Sequence, residues 1–509
     1  MTTNRLRLTQ EKYQKWKCKH MSDTPYICWK RGAFVIAEDI LNGKVTSFQV
    51  VQAAIQTCLR NSKLNAVVIE RFALALKEAK AADLMIQSGK VVGPLHGVPF
   101  TVKESLGFEG LPHTVGSMKR IEKYASNDAT VVARLKKAGA IVIGLSNCSE
   151  MALWPECSNP VYGKTSNPWN LNYTSGGSSG GDAAAVGAGI VPFGVGTDGG
   201  GSIRIPAAFC GVYGHKPSGG LVPLTGHPPL HDTGLENQDA QKVAAFFCAG
   251  PIAKTAKDLM PLLKIMAGPD GLDKNVKHLP AFSSCDINIT EISVFMCSSP
   301  KVTFARAVAA NVSEPIDVMG QMFASMGANV QSWNHHAIKD ALMIWIEAVQ
   351  HLSIAELISD GQGIRPIQEL VKYMLHKSHY SLPAILATLT YQYSLPILKK
   401  CVSLDPKTRL GLQKDIENQL GDNGILIMPV FPSAAPKHGK MLFHPADFAY
   451  AGLFNALELP ATSVPLGFDE NGLPKSAQII AAKNMDHLCI AAACLIEEKY
   501  KSSLTRSAD

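Results

Sequence analysis

One large α/β domain, with helices layered over both faces of a sheet, is the fold class this sequence predicts. Three observations predict it. Segments with apolar residues at helical spacing alternate along the whole chain with short, wholly apolar runs of strand character. Gly and Pro breaks are spread evenly instead of being gathered in one linker. No repeat with a period of about 20–50 residues and no low-complexity segment divides the 509 residues.

The elements follow in order. "AEDILNGKVTSFQVVQAAIQTCLR" reads as helical, broken at Gly43 and capped again at Thr46-Ser47. "RFALALKEAKAADLMIQSG" is a second helix, ended by Gly89. "GPLHGVPFTVKES" reads as a loop entering a short strand. "ATVVARLKKAGAIVIGLSN" reads as a helix over Thr130–Lys137, a stop at Gly139 and a buried strand over Ala140–Gly144. "GIVPFGVGTD", Asn423–Val430 and Leu459–Phe468 are further strands, and "MDHLCIAAACLIEEKY" is a closing amphipathic helix. The expected organisation is a basic arm over 1–31 and one domain over 32–509, in which Ala281–His438 forms a mainly helical insertion or substrate-facing lobe.

Composition narrows the class. Apolar residues make up 46% of the chain and charged ones 18%, ordinary for a protein with a substantial core. The net charge of +7 comes largely from Met1–Arg31, where eight Lys and Arg face only Glu11 and Asp23. The remainder is close to neutral, which argues against nucleic acid as a partner. The basic start suits a solvated arm, or peripheral contact with acidic lipid. Met1–Arg31 lacks the apolar core of a signal peptide. The longest apolar run, Ala183–Gly196, is 14 residues and broken by Gly and Pro, against the roughly 20 that span a bilayer. A soluble, cytoplasmic protein is therefore expected. Tyr380–Leu398, apolar and aromatic with two prolines, is read either as an interfacial or substrate-entry helix pair or as a core helix kinked at proline. The twelve cysteines form no C-x-x-C pair and no zinc-like spacing, so reduced thiols are expected. His335-His336 has no third ligand nearby, and neither a metal nor a cofactor is expected.

The chemistry concentrates in two glycine-rich stretches. "GGSSGG" at Gly176–Gly181 is not a phosphate loop, because Asp182 stands where such a loop carries lysine. It matches G-x-S-x-G, but a nucleophile elbow follows a strand, and "SNPWNLNYTS" reads as a loop. The second stretch, "GTDGGGSIRIPA", sets Ser202 directly after Gly199, Gly200 and Gly201. Their backbone N–H groups could converge as an oxyanion hole beside an attacking Ser202, with Arg204 fixing the next turn. The alternative is a glycine-rich turn in which Ser202 only caps a helix. Of the histidines, only His215 lies close in sequence to either cluster. Lys103, a lone cation in the apolar run "GVPFTVKES", is either a surface lysine or a base kept neutral by burial.

Together "GPLHGVPFTVKES", "TSNPWN…GGSSGGDAAAVGAG" and "GTDGGGSIRIPA" resemble the three blocks of the amidase signature family. Lys103 and Ser178 are 75 residues apart, and Ser202 follows 24 later. The resemblance extends from Leu64–Val68 to Asn455–Ile480. It implies an α/β/α domain around a mixed sheet and a Ser–cis-Ser–Lys triad. Ser202 would be the nucleophile, Lys103 the base and Ser178 the shuttle, preceded by a cis peptide bond from Gly177, with Ser179 in support. The implied reaction is amide hydrolysis through an acyl-enzyme, without a cofactor.

In the C-terminal half, "LVKYMLHKSHYSLPAILATLTYQY", "GDNGILIMPVFPSAAPKH" and "FAYAGLFNALELPATSVPLGF" resemble the membrane-anchored second form of fatty-acid amide hydrolase and its relatives, which implies N-acyl amide substrates. That form's N-terminal anchor has no counterpart in Met1–Arg31, so a lipid amide would have to reach a soluble enzyme. Gly199 stands where relatives carry Ile or Thr, Tyr173 and Ser175 where many carry Arg and Pro, and Ile252 where methionine is usual. The alternative function is a glutaminase-type amidotransferase subunit working with a tRNA-binding partner; a homodimer is left open.

Overall fold

The computed structural model describes residues 31–228, 245–278, 287–335, 338–394 and 406–500. Most of the basic arm therefore lies outside the described residues, as do Cys18, Cys28, Cys285, Cys401, His336 and the end of the Tyr380–Leu398 segment.

Eleven strands join in one mixed sheet. In chain order they are β1 (Val67–Glu70), β2 (Pro99–Lys103), β3 (Ile141–Ser146), β4 (Phe193–Asp198), β5 (Tyr213–Lys216) and β6 (Cys248–Ala253). The rest are β7 (Ser293–Met296), β8 (Asn329–Ser332), β9 (Gly424–Met428), β10 (Ala461–Phe468) and β11 (Pro474–Ala481). Their order across the sheet is β1-β3-β2-β4-β6-β5-β10-β11-β9-β7-β8. β2, β3, β4, β6 and β9 are buried along their whole lengths. A strand buried on both faces reads as an unbroken apolar run, which is why "AIVIG" and "GILIM" were legible as strands. Each fully buried Val, Ile or Phe in them contributes roughly 1.5–3 kcal/mol. Phe100 and Phe193 stack across β2 and β4 with centroids 5.0 Å apart.

The helical expectations hold at their boundaries. Thr46 caps the helix Ser47–Arg60 through a reciprocal capping box with Gln49. The helix Phe72–Gln87 ends ahead of Gly89, whose φ is +73°. Ala183–Gly196 is buried as expected, but it is divided between the helix Gly180–Gly187 and strand β4.

The described part of 281–438 is largely but not wholly helical. Its described residues form helices, but they also supply β7, β8 and β9 to the central sheet. β7 and β8 are short and β8 is largely exposed, so their apolar signal is weak, whereas β9 is the fully buried run that reads as a strand. In Tyr380–Leu398, Ser381 caps the helix Leu382–Leu389 and Pro383 sits in its first turn, where the missing N–H is not needed and no kink results.

The strand directions position the site. β2 and β4 are parallel neighbours, with Phe100 opposite Phe193 and Val102 opposite Val195. Their carboxyl ends therefore emerge side by side, which brings Lys103 and Thr197 to the same sheet edge, where open α/β sheets bind ligands.

Candidate active site

Three segments converge beyond the carboxyl ends of β2 and β4. Lys103 is the last residue of β2 and is fully buried. Its Nζ donates to Ser178 Oγ at 2.6 Å and to Thr197 Oγ1 at 2.8 Å. Burial, the largest influence, pushes the ammonium down to about 8, against the opposing pull of Cys148, Asp182, Cys157 and Asp198. A buried lysine of this kind is an ammonium that gives up its proton near neutral pH.

Ser178 sits immediately before the helix Gly180–Gly187, and its peptide bond from Gly177 is cis. That helix is anchored by Asp182, which accepts hydrogen bonds from Thr101 Oγ1 on β2 at 2.8 Å and Ser146 Oγ on β3 at 2.5 Å. Burial pushes the Asp182 carboxyl up to about 7, with the two hydroxyls and Lys103 pulling the other way. The aspartate that ruled out a phosphate loop thus ties the helix that follows Ser178 to both neighbouring strands. Ser179 Oγ donates to Thr197 O and accepts from Thr197 N, each at 3.2 Å, and its N–H donates to Ser202 O at 3.1 Å. Ser179 therefore couples both serine stretches to β4.

Ser202 follows a turn built on a buried ion pair. Asp198 at the end of β4 accepts from Arg204 Nε at 3.0 Å and Nη2 at 3.1 Å. Burial alone would raise the Asp198 carboxyl, but the Arg204 guanidinium and the hydrogen bonds around it hold it well below the usual carboxylate range. Arg204 reaches further, to Ala451 O at 2.9 Å, Gln478 Oε1 at 2.8 Å and Asn455 Oδ1 at 2.5 Å. Gly201 has φ +108°, and a Cβ there would stand 2.7 Å from Ala451 Cβ, so only glycine fits.

One expected donor is lost to this turn. The N–H of Gly201 donates to Asp198 Oδ1 at 2.6 Å instead of facing the cavity, because the carboxylate closes the turn from below. Of the expected trio, Gly199 and Gly200 have N–H groups that meet no acceptor among the described residues; the same holds for the N–H of Ser202. Gly199 is also fixed by contact: a Cβ would stand 2.2 Å from Phe247 Cε1.

Ser178, Thr197, Ser202 and His227 line one narrow cavity of about 20 Å³. Its apolar wall is formed by Met151, Leu153, Phe247, Leu352 and Leu357. His227 was not expected from sequence, yet its Nε2 lies 3.1 Å from Thr197 Oγ1. His215 is held elsewhere, between Thr462 Oγ1 at 2.8 Å and Asp486 Oδ1 at 3.1 Å. The eight described cysteines are all free thiols. Among the described residues no helix is long and apolar enough to cross a membrane.

A buried amine bonded to a serine hydroxyl, beside a second serine on a glycine turn, can deliver and recover a proton during acyl transfer. The chain is 38% identical over 491 residues to fatty-acid amide hydrolase 2-B of Danio rerio, covering 92% of this chain and 89% of that protein. It is 36% identical over 487 residues to fatty-acid amide hydrolase 2 of Homo sapiens, covering 91% and 88%. The fold matches a solved fatty acid amide hydrolase with a TM-score of 0.75 at 19% identity, covering 97% of this chain and 89% of that one. The Amidase family model matches residues 49–490, and the chain accordingly belongs to the amidase signature family of hydrolases that cleave carbon–nitrogen amide bonds.

Proposed function

We propose that this chain hydrolyses N-acyl amides with an apolar acyl chain, through an acyl-enzyme on Ser202. The observation that carries the mechanism is the fully buried Lys103 Nζ, 2.6 Å from Ser178 Oγ at a cavity that Ser202 also lines. Neutral Lys103 takes the Ser178 hydroxyl proton while Ser178 takes that of Ser202. Ser202 Oγ then bonds to the amide carbonyl carbon. The oxygen becomes an oxyanion facing the N–H groups of Gly199, Gly200 and Ser202. As it collapses, the C–N bond breaks and the departing nitrogen receives the proton back through Ser178. Water repeats the sequence against the acyl-Ser202 ester, releasing the carboxylate and restoring the serine.

The substrate class is supported by the wall of Met151, Leu153, Phe247, Leu352 and Leu357 and by the relatives' activity. At about 20 Å³ the cavity holds little more than one water, so an acyl chain enters by turning those side chains aside.

A fluorophosphonate probe and an amide series from acetamide to oleamide test the two layers separately. Wild type is expected to label at Ser202 and Ser202→Ala not to label. The ratio kcat/KM is expected to rise with acyl length. Equal labelling of Ser202→Ala would sink the mechanism, whereas rates that stay flat or fall with chain length would remove the acyl preference alone.

A further inference from the structure

We infer that His227 and Thr197 are positioning residues that aim the amine of Lys103 at Ser178. The inference rests on Lys103 being the base. Among the described residues, Lys103 Nζ has two hydrogen-bond partners, Ser178 Oγ at 2.6 Å and Thr197 Oγ1 at 2.8 Å. Thr197 Oγ1 lies in turn 3.1 Å from His227 Nε2. All four side chains are buried.

Counting protons gives the row a direction. A neutral amine has two N–H bonds and one lone pair, and a hydroxyl has one proton to donate. If the lone pair is to receive the Ser178 proton, an N–H of Lys103 must turn to Thr197 Oγ1. The single proton of Thr197 must then leave in another direction, and His227 Nε2 is placed to accept it. That requires the imidazole proton on Nδ1. With the opposite tautomer, Nε2–H donates to Thr197 and frees the threonine proton to point at the lysine. The threonine would then occupy the lone pair that has to face Ser178. His227 thus acts on the base at one remove, as the carboxylate of a Ser-His-Asp triad orients its histidine. Strand order creates the row: Thr197 stands next to the last residue of β4, beside the end of β2, and His227 comes from the segment that follows β5.

The full chain carries the test. Labelling of Ser202 by a small alkyl fluorophosphonate and steady-state hydrolysis of one amide are measured for His227→Phe, His227→Gln, Thr197→Val, the Thr197→Val/His227→Phe double variant and Lys103→Ala. His227→Phe and Thr197→Val are each expected to slow labelling and kcat about 10- to 100-fold, with KM held within about twofold. His227→Gln, whose amide oxygen can accept from Thr197, is expected to recover most of the loss. The double variant is expected to be no slower than Thr197→Val alone, because both act through one row. Wild-type labelling by His227→Phe, a change confined to KM, or losses that multiply in the double variant would overturn the inference. Should His227→Phe fail to fold, wild-type rates for Thr197→Val would overturn it equally. Labelling that survives Lys103→Ala would overturn the base reading itself, whereas a silent Lys103→Ala beside an unaffected His227→Phe would overturn the row alone.

Discussion

A lysine with no carboxylate bonded to it is an expensive residue to bury, and its position explains why the cost is borne. Burial brings Lys103 from 10.5 to about 8, a difference worth roughly 3 kcal/mol. Between those two values the unfolded chain holds a proton that the native protein has released, so stability from this group rises with pH across that window. At neutral pH the group opposes folding. The proposed mechanism needs the neutral amine, and that form grows as pH rises towards about 8. We expect kcat/KM to climb about tenfold per pH unit below pH 8 and to level off above it. A profile that stays flat from pH 6 to 9 would count against Lys103 as the base. Lys103→Met should be inactive yet melt no lower than wild type at pH 7. Gly199 shows a different constraint at the same scale. The ring of Phe247 occupies the space its side chain would need, so this glycine and the cavity wall are set by one contact.

At the scale of elements, the β4 turn joins distant parts of the chain through one ion pair. Arg204 binds Asp198 six residues away, and also Ala451, Asn455 and Gln478, which lie 247, 251 and 274 residues away. Removing one partner of a buried pair leaves the other charged and uncompensated, at a cost of about 3–5 kcal/mol. Asp198→Asn is therefore expected to lose about that much stability in chemical denaturation. It should also lower kcat on the order of 100-fold, because the turn that aims the Gly199 and Gly200 N–H groups loosens. A variant that keeps its kcat while losing stability would separate the ion pair from the oxyanion role proposed for this turn. Much of this region was legible in sequence, because the glycines, Ser202 and Arg204 stand in one continuous stretch. The commitment of Gly201 N–H to Asp198 was not, since spacing cannot tell an inward-facing N–H from one that closes a turn.

For the whole molecule, the helices that follow Leu352 are tied by hydrogen bonds to the segments that carry Arg120 and Glu150. Arg120 Nη1 donates to Asp360 Oδ1 at 2.6 Å, with both side chains mostly buried. Glu150 Oε2 accepts from Ser381 N at 2.8 Å, at the cap of the helix Leu382–Leu389. Leu352 and Leu357 reach the cavity from this region, so loosening a tether is expected to change access to it. Asp360→Ala is expected to speed limited proteolysis within residues 353–389. It should change KM for long-chain amides while leaving kcat for short ones within about twofold. Unchanged proteolysis together with an unchanged KM would show that the tethers do not govern access.

The layered α/β class and, through three motifs in fixed order, the amidase family were legible in the linear sequence, which also singled out Lys103, Ser178 and Ser202 as candidates. These are local properties: apolar period, turn chemistry and residue spacing survive in a linear reading. Only the folded chain decided that β7, β8 and β9 continue the central sheet, that His227 faces Thr197, and that Phe247 fills the space beside Gly199. Each depends on which strands become neighbours, and strand order arises from packing across the whole core rather than from any one stretch.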